Sequence, residues 1–345
     1  MSDIHIRVEG RAGRITLTRP QALNALTYDM CMAIDAALTA WRDDPAVQVV
    51  LIDAEGPRAF CSGGDIAEMY ATGTAGDHAY GRRFWRDEYR MNARLFEFPK
   101  PTVSFLQGFT MGGGVGVGCH AGLRVVGESA QIAMPECGIG LIPDVGGTMM
   151  LARAPGRLGE YLGTTGARMG AADAILAGFA DVYLAEADWD AAKARIIATG
   201  RAEVAAQTPP PGRLATLRPQ IDRHFAGETL GDIIRSLRAE DSDFARDTLK
   251  ALARNAPLSM ACTVEALHRL GDTPDIRQAL GLEYRFTFRA MEHADFLEGI
   301  RAAIIDKDRT PKWRHAAPDR VPAVEVSHML RPLGAEALTF GEDAA

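Results

Sequence analysis

Pro101-Thr-Val-Ser-Phe-Leu-Gln-Gly-Phe-Thr-Met-Gly-Gly-Gly-Val-Gly-Val-Gly118 passes from a β-rich apolar run into a run of glycines. Pro101 to Leu106 carries Thr, Val and Phe and is expected to be a strand, and Gly112 to His120 a glycine-opened helix. Two short strands should follow, Leu123 to Val126 and Gln131 to Ala133, then a helix from Gly147 to Arg153. The same order stands upstream. Ile4 to Glu9 and Gly13 to Leu17 alternate apolar and polar residues around Gly10 and predict a β-hairpin. After the loop from Arg19 to Thr27, Tyr28 to Trp41 has apolar residues at helical spacing, with Thr27 as its N-cap. Val47 to Ile52 predicts a buried strand, Ala59-Phe-Cys-Ser-Gly-Gly-Asp65 a strand end and tight turn leading into a helical stretch, and Arg82 to Phe96 a helix. Strand, strand, helix, repeated, implies an α/β chain of stacked units and not one doubly wound sheet.

Beyond Gln207-Thr-Pro-Pro-Pro-Gly212 strand patterns nearly vanish. Three prolines in a row break regular structure. Leu230 to Leu237, Asp243 to Ala253, Met260 to Leu270 and Pro274 to Glu292 are expected to be amphipathic helices. The domain expectation is therefore a core over residues 1–205 and a mainly helical region over 206–345, capping the site or mediating association.

Two acids stand out inside the core. Glu136 and Asp144 lie in Met134-Pro-Glu-Cys-Gly-Ile-Gly-Leu-Ile-Pro-Asp-Val-Gly-Gly147, among apolar residues, proline and glycine. Burial disfavours a charged carboxylate, so such acids either have pKa values tuned for chemistry or are tied down by hydrogen bonds. The glycine run offers bare backbone N–H groups, and acids together with such donors are the raw material of acyl chemistry.

Composition narrows the field. The chain has 345 residues, 47% hydrophobic and 24% charged, with a net charge of −7, which is ordinary for a soluble globular protein and gives no basic footprint for nucleic acid. Five scattered cysteines, Cys31, Cys61, Cys119, Cys137 and Cys262, include no C-x-x-C pair and fit free thiols in a reducing compartment. The N-terminus lacks a signal-peptide pattern, and no stretch is long and apolar enough for a membrane span. A cytoplasmic protein is expected.

Competing readings of single motifs carry less. Gly116-Val-Gly118-Cys-His-Ala121 loosely fits a dinucleotide fingerprint but lacks the strand–turn–helix unit and the ribose-binding acid; its glycines could equally serve close helix packing. Cys61 and Ser62 could be nucleophiles, but no G-x-S-x-G surrounds Ser62. His120, among small apolar residues, reads first as a core histidine. Glu88, in Phe84-Trp-Arg-Asp-Glu-Tyr89, matters only if its helix face lines a pocket. No metal-ligand spacing occurs, and no metal is expected.

Taken together, Arg19-Pro-Gln-Ala-Leu-Asn-Ala-Leu26, Ala59-Phe-Cys-Ser-Gly-Gly-Asp-Ile66, Lys100-Pro101, Gly108-Phe-Thr-Met-Gly-Gly-Gly114 and Met134-Pro-Glu through Gly147 resemble the enoyl-CoA hydratase/isomerase (crotonase) superfamily. The resemblance implies a spiral of ββα units, a CoA thioester substrate and an oxyanion hole made by the N–H groups of Gly64 and Gly113. It also implies CoA contacts at Ala22, Leu23, Asp65 and Ile66. Family hydratases carry two glutamates; the second matches Glu136, but the first falls on Gly116, which cannot move a proton. Asp144 supplies an acid where many hydratases have glycine.

That pattern, with Phe84 to Tyr89 and the C-terminal Glu283-Tyr-Arg285, Asp295 to Ala302 and Ile305 to Trp313, resembles the superfamily's 3-hydroxyisobutyryl-CoA hydrolase branch. It implies substrate contacts at Glu88, Gly113, Glu136 and Asp144, catalysis by Glu136 and Asp144, and hydrolysis of a short 3-hydroxyacyl-CoA in valine breakdown. No cofactor beyond the CoA of the substrate is implied, and neither nucleic acid nor membrane is an expected partner. Association into homo-oligomers stays open, since the superfamily often forms trimers or hexamers. The alternatives are an enoyl-CoA hydratase or isomerase and a non-catalytic acyl-CoA-binding protein.

Overall fold

The computed structural model describes residues 3–341. They form two compact units that interleave along the chain: residues 3–65, 87–133 and 168–215 in one, 66–86, 134–167 and 216–341 in the other.

The first unit holds both sheets. β1 (Ile4–Glu9) and β2 (Ala12–Leu17) pair antiparallel, as the alternation around Gly10 predicts. β3 (Val49–Ala54), β4 (Ala59–Cys61), β5 (Thr102–Leu106), β6 (Phe109–Met111), β7 (Leu123–Val126), β8 (Gln131–Ala133) and β9 (Val182–Tyr183) follow. The larger sheet runs β1-β2-β3-β5-β7-β9 and the smaller β4-β6-β8. In each successive pair, β3/β4, β5/β6 and β7/β8, the first strand joins the large sheet and the second the small one. All of these neighbours pair parallel. This is the repeated ββα spiral. Alternate residues of the large sheet, Val49 and Leu51, Val103 and Phe105, and Val125, bury one face against Trp189, Ala192 and Ile196 of the helix Trp189–Thr199.

The helix Tyr28–Trp41 begins where expected, with the Thr27 hydroxyl accepting from Met30 N at 3.2 Å. Its buried residues, Met30, Cys31, Ile34, Ala37, Leu38 and Trp41, form one apolar stripe. The strand expected at Val47 begins at Val49 instead; Val47 N is still in the preceding turn, donating to Asp44 O at 3.1 Å.

The second unit carries helices and no strand among its described residues. The predicted C-terminal helices appear as Leu230–Arg238, Asp243–Leu252, Pro257–Leu270 and Ile276–His293. Two starts differ from the periodicity. Pro257 opens its helix because a proline at the first position gives up an N–H that has no intrahelical partner anyway. Pro274 stays outside the next helix because Asp275 and Gln278 form a capping box, Gln278 N donating to Asp275 Oδ1 at 2.7 Å. Ile276–His293 and Pro257–Leu270 both pack on the short helix Gly147–Arg153. No helix among the described residues is long and apolar enough to cross a membrane.

Candidate functional site

The expected site residues fall into two groups, one in each unit. In the first unit, the turn after β4 lies beside the loop from Arg19. Ser62 N donates to Leu23 O at 3.0 Å, Leu26 N to Gly63 O at 2.8 Å and Asp65 N to Leu26 O at 2.8 Å. Asn24 fixes that loop, its Nδ2 donating to Glu55 O and to Ala59 O, both at 2.9 Å. Leu23 and Asn24 are held at φ 52° and 54°, left-handed values that cost non-glycine residues energy. Ala22, Leu23 and Asp65 therefore share one neighbourhood, with Arg19 paired to Asp65 at 2.9 Å. Ile66 begins the second unit.

Gly64, Gly113 and Glu88 also meet. A Cβ on Gly113 would stand 3.3 Å from Gly64 N and 3.1 Å from Glu88 Oε1, so only glycine leaves room there without displacing a neighbour. Gly113 is the first residue of the helix Gly113–Gly118, where N–H groups lack intrahelical carbonyl partners. Glu88 lies on the helix Ala79–Phe96, whose Met91, Asn92 and Leu95, three, four and seven residues on, are all buried; Glu88 itself is only 4% exposed. It is thus on the inner face, not the wet one. Gly116 lies in the glycine helix, fully buried and without a titratable group.

Cys61 gains no support as a nucleophile. Cys61 donates its thiol hydrogen to Gly63 O at 3.6 Å, and burial pushes its pKa up to about 12, so it is a thiol at neutral pH and not the reactive thiolate. His120 is buried and packs edge-on against Phe96 at 5.7 Å between ring centroids.

In the second unit, Glu136 opens the short 3-10 turn Glu136–Ile139. Leu141 N donates to Glu136 O at 3.0 Å and Ala256 N to Cys137 O at 2.8 Å. The turn ends at Gly140, φ 76°, where a Cβ would come within 2.4 Å of the Asp295 carbonyl carbon. Glu136 is 4% exposed and Asp144 5%. Burial first, then the charges of Asp144 and Glu283, hold the Glu136 carboxyl well above the usual carboxylate range. Its Oε2 is buried and takes no hydrogen bond from the described residues. Such a carboxylate is poised to take a proton or attack an electrophile.

Glu283 is the acid that motif reading left without a role. It is fully buried, and burial pushes its carboxyl up to about 8 against the pull of the N–H and O–H donors it faces. The signal was available: Ile276, Ala279, Leu280, Phe286 and Ala290 are the buried stripe of its helix, and position 283 falls in the middle of that stripe. An acid at a core position of an amphipathic helix calls for partners.

The chain belongs to the enoyl-CoA hydratase/isomerase family, whose model matches residues 12–330. Among individual relatives, it is 35% identical over 354 residues to the mitochondrial 3-hydroxyisobutyryl-CoA hydrolase of Gallus gallus, covering 96% of this chain and 90% of that one. Against the Homo sapiens protein of the same name, identity is 34% over 352 residues, covering 98% and 91%. Two solved structures superpose closely. A crystal structure of an enoyl-CoA hydratase from Rhodobacter sphaeroides 2.4.1 has 61% identity and a TM-score of 0.96, covering 98% of this chain and all of that one. One of a carnitinyl-CoA dehydratase from Mycobacterium thermoresistibile has 41% identity and a TM-score of 0.93, covering 99% of each chain.

Proposed function

We propose that this chain hydrolyses a short 3-hydroxyacyl-CoA thioester, 3-hydroxyisobutyryl-CoA before others, releasing free CoA and the 3-hydroxy acid. The observation that carries this reading is the placement of titratable groups. Position 116, where a hydratase of the family would carry its first glutamate, is a buried glycine, while Glu136 shares its buried surroundings with the charge of Asp144. The names of the hydrolase relatives support the same choice.

The chemistry needs an oxyanion donor pair and a carboxylate. We assign the donors to the N–H groups of Gly64 and Gly113, whose close approach supports that role; losing one such donor costs about 100- to 1000-fold in rate. Glu136 is the central carboxylate. In one route it takes a proton from water as the hydroxide adds to the carbonyl carbon; the tetrahedral intermediate then expels the CoA thiolate, which takes up a proton. In the other, Glu136 attacks the carbonyl carbon itself, the C–S bond breaks, and water opens the resulting anhydride. Oxygen-18 water under single-turnover conditions separates them, since label entering Glu136 requires the anhydride. Asp144 positions the water or manages its proton, and Glu88 holds the acyl 3-hydroxyl. Ala22, Leu23, Asp65 and Ile66 contact CoA. A cytoplasmic location and a place in valine breakdown are part of this proposal.

The second reading is hydration of an enoyl-CoA, favoured by the name of the 61%-identical structure. A thiol-reagent assay over 3-hydroxyisobutyryl-CoA and 3-hydroxypropionyl-CoA, beside crotonyl-CoA hydration followed by absorbance, decides between them. CoA release without crotonyl-CoA hydration supports the hydrolase. The reverse pattern overturns it, and neither activity with acyl-CoA binding intact indicates a non-catalytic binding protein.

A further inference from the structure

The geometry points to Glu283 as the positioning residue of the Asp144 turn, a carboxylate delivered by the C-terminal helical region to clamp the backbone that presents Asp144. The inference rests on the hydrolase reading for the role of Asp144, but the clamp itself is read from contacts within the second unit. Glu283 Oε2 accepts from Gly146 N at 2.8 Å, and Oε1 accepts from Thr148 N at 3.0 Å and from the Thr148 hydroxyl. Both carboxylate oxygens are thus spent on the turn that follows Asp144. That turn needs holding. Val145 sits at φ 53° and Gly146 at φ 81°, and a β-branched residue in the left-handed region is strained unless its surroundings over-determine it. Gly147 N closes the turn on Asp144 O at 2.7 Å. A Cβ at Gly147 would come within 2.5 Å of Met134 Cε, so the backbone here is pressed against its neighbours as well.

Glu283 has a second effect through space. When ionised it is one of the causes that raise the Glu136 carboxyl, alongside Asp144; with its own carboxyl pushed up to about 8, it carries that charge only at alkaline pH. The clamp therefore sets the direction of Asp144 through the backbone that follows it, which a residue that merely filled space would not do.

Glu283→Gln tests the clamp. The amide keeps one acceptor and the shape but turns a donor toward N–H groups, and it removes the charge. Expected is a fall in kcat of about tenfold or more with KM changed less than about threefold. Unchanged kcat, or a rise in KM as large as the fall in kcat, would overturn the proposal. Thr148→Val covers the case in which Glu283→Gln fails to fold. It removes only the hydroxyl donor and should lower kcat about three- to tenfold with KM retained, whereas wild-type kcat in this variant counts against the clamp. A readout free of turnover is amide hydrogen exchange. The Gly146 and Thr148 amides should lose protection in Glu283→Gln more than the rest of their helix, and equal protection overturns the clamp. If the unaltered protein releases no CoA, the hydrolase reading fails while the exchange result still judges Glu283.

Discussion

Replacing Gly113 by alanine tests the oxyanion assignment with the least chemistry changed. The new methyl would stand 3.1 Å from Glu88 Oε1, 3.3 Å from Gly64 N and 3.5 Å from the Gly63 carbonyl carbon. Carbon ordinarily keeps about 3.4–4 Å from such atoms, so two of the three neighbours must give by a few tenths of an ångström. Neither gives easily. Glu88 is buried, and the Gly64 peptide is pinned by Leu26 N donating to Gly63 O and Asp65 N donating to Leu26 O. Overpacking of this kind costs about 1–3 kcal/mol. Displacing one donor by tenths of an ångström forfeits part of the 100- to 1000-fold typical of losing it outright, so kcat should fall by roughly 10- to 100-fold, about 1.4–2.7 kcal/mol of barrier. CoA release followed with a thiol reagent gives kcat, and urea unfolding gives the stability change. Gly281→Ala is the control, since it lies in a helix with nothing within 4 Å of the added Cβ. It should leave turnover unchanged and add about 0.5–1 kcal/mol of stability. Wild-type kcat in a folded Gly113→Ala would refute the oxyanion role.

Three further outcomes are expected. In the proposed mechanism Glu136 acts as a carboxylate, and its pKa is raised, so kcat/KM should fall as pH drops through a value above the usual carboxylate range. Asp144→Asn should move that limb to lower pH while reducing kcat, and an upward or absent shift would contradict the shared charge. All five cysteines are buried, so the native protein should keep its activity and take up almost no iodoacetamide while the unfolded chain takes up five; fast labelling in the native state would contradict the burial. His268 is raised by its hydrogen bond to Glu160, and Glu160 is lowered despite burial by its bonds to His268 and Arg157. The histidine's contribution is full below its unfolded pKa and is lost as pH rises through the folded one; the glutamate's is lost as pH falls through its folded value. His268→Ala should therefore destabilise more at pH 5.5 than at pH 9 in urea titrations, and equal effects would exclude the pair.

The sequence carried the spiral clearly wherever a single pattern governed a segment. Thr27 and the stripe from Met30 to Trp41 were legible because cap and period agree. β6 is a three-residue strand, too short for alternation to register, and what makes it a strand is pairing with β4 and β8, information that lies outside the segment. Leu158–Thr165 and Trp189–Thr199 escaped the pattern reading because their apolar stripes are short and rich in alanine and glycine. Glu136 and Asp144 stood out as acids in apolar company, and burial agrees. Glu88 stayed ambiguous because one helix face cannot be told from the other without its partners. The reach of Glu283 to Gly146 and Thr148, 137 and 135 residues away, is beyond any local pattern.

That separation also sets a schedule for the newborn chain. At about 5–20 residues per second of synthesis, the Asp144 turn leaves the ribosome roughly 7–27 seconds before the residue that clamps it. Until then Gly146 N and Thr148 N are without the Glu283 carboxylate that accepts from them. A prematurely terminated chain ending in the proline run would contain Glu136 and Asp144 in sequence but not the Glu283 carboxylate that accepts from Gly146 N and Thr148 N.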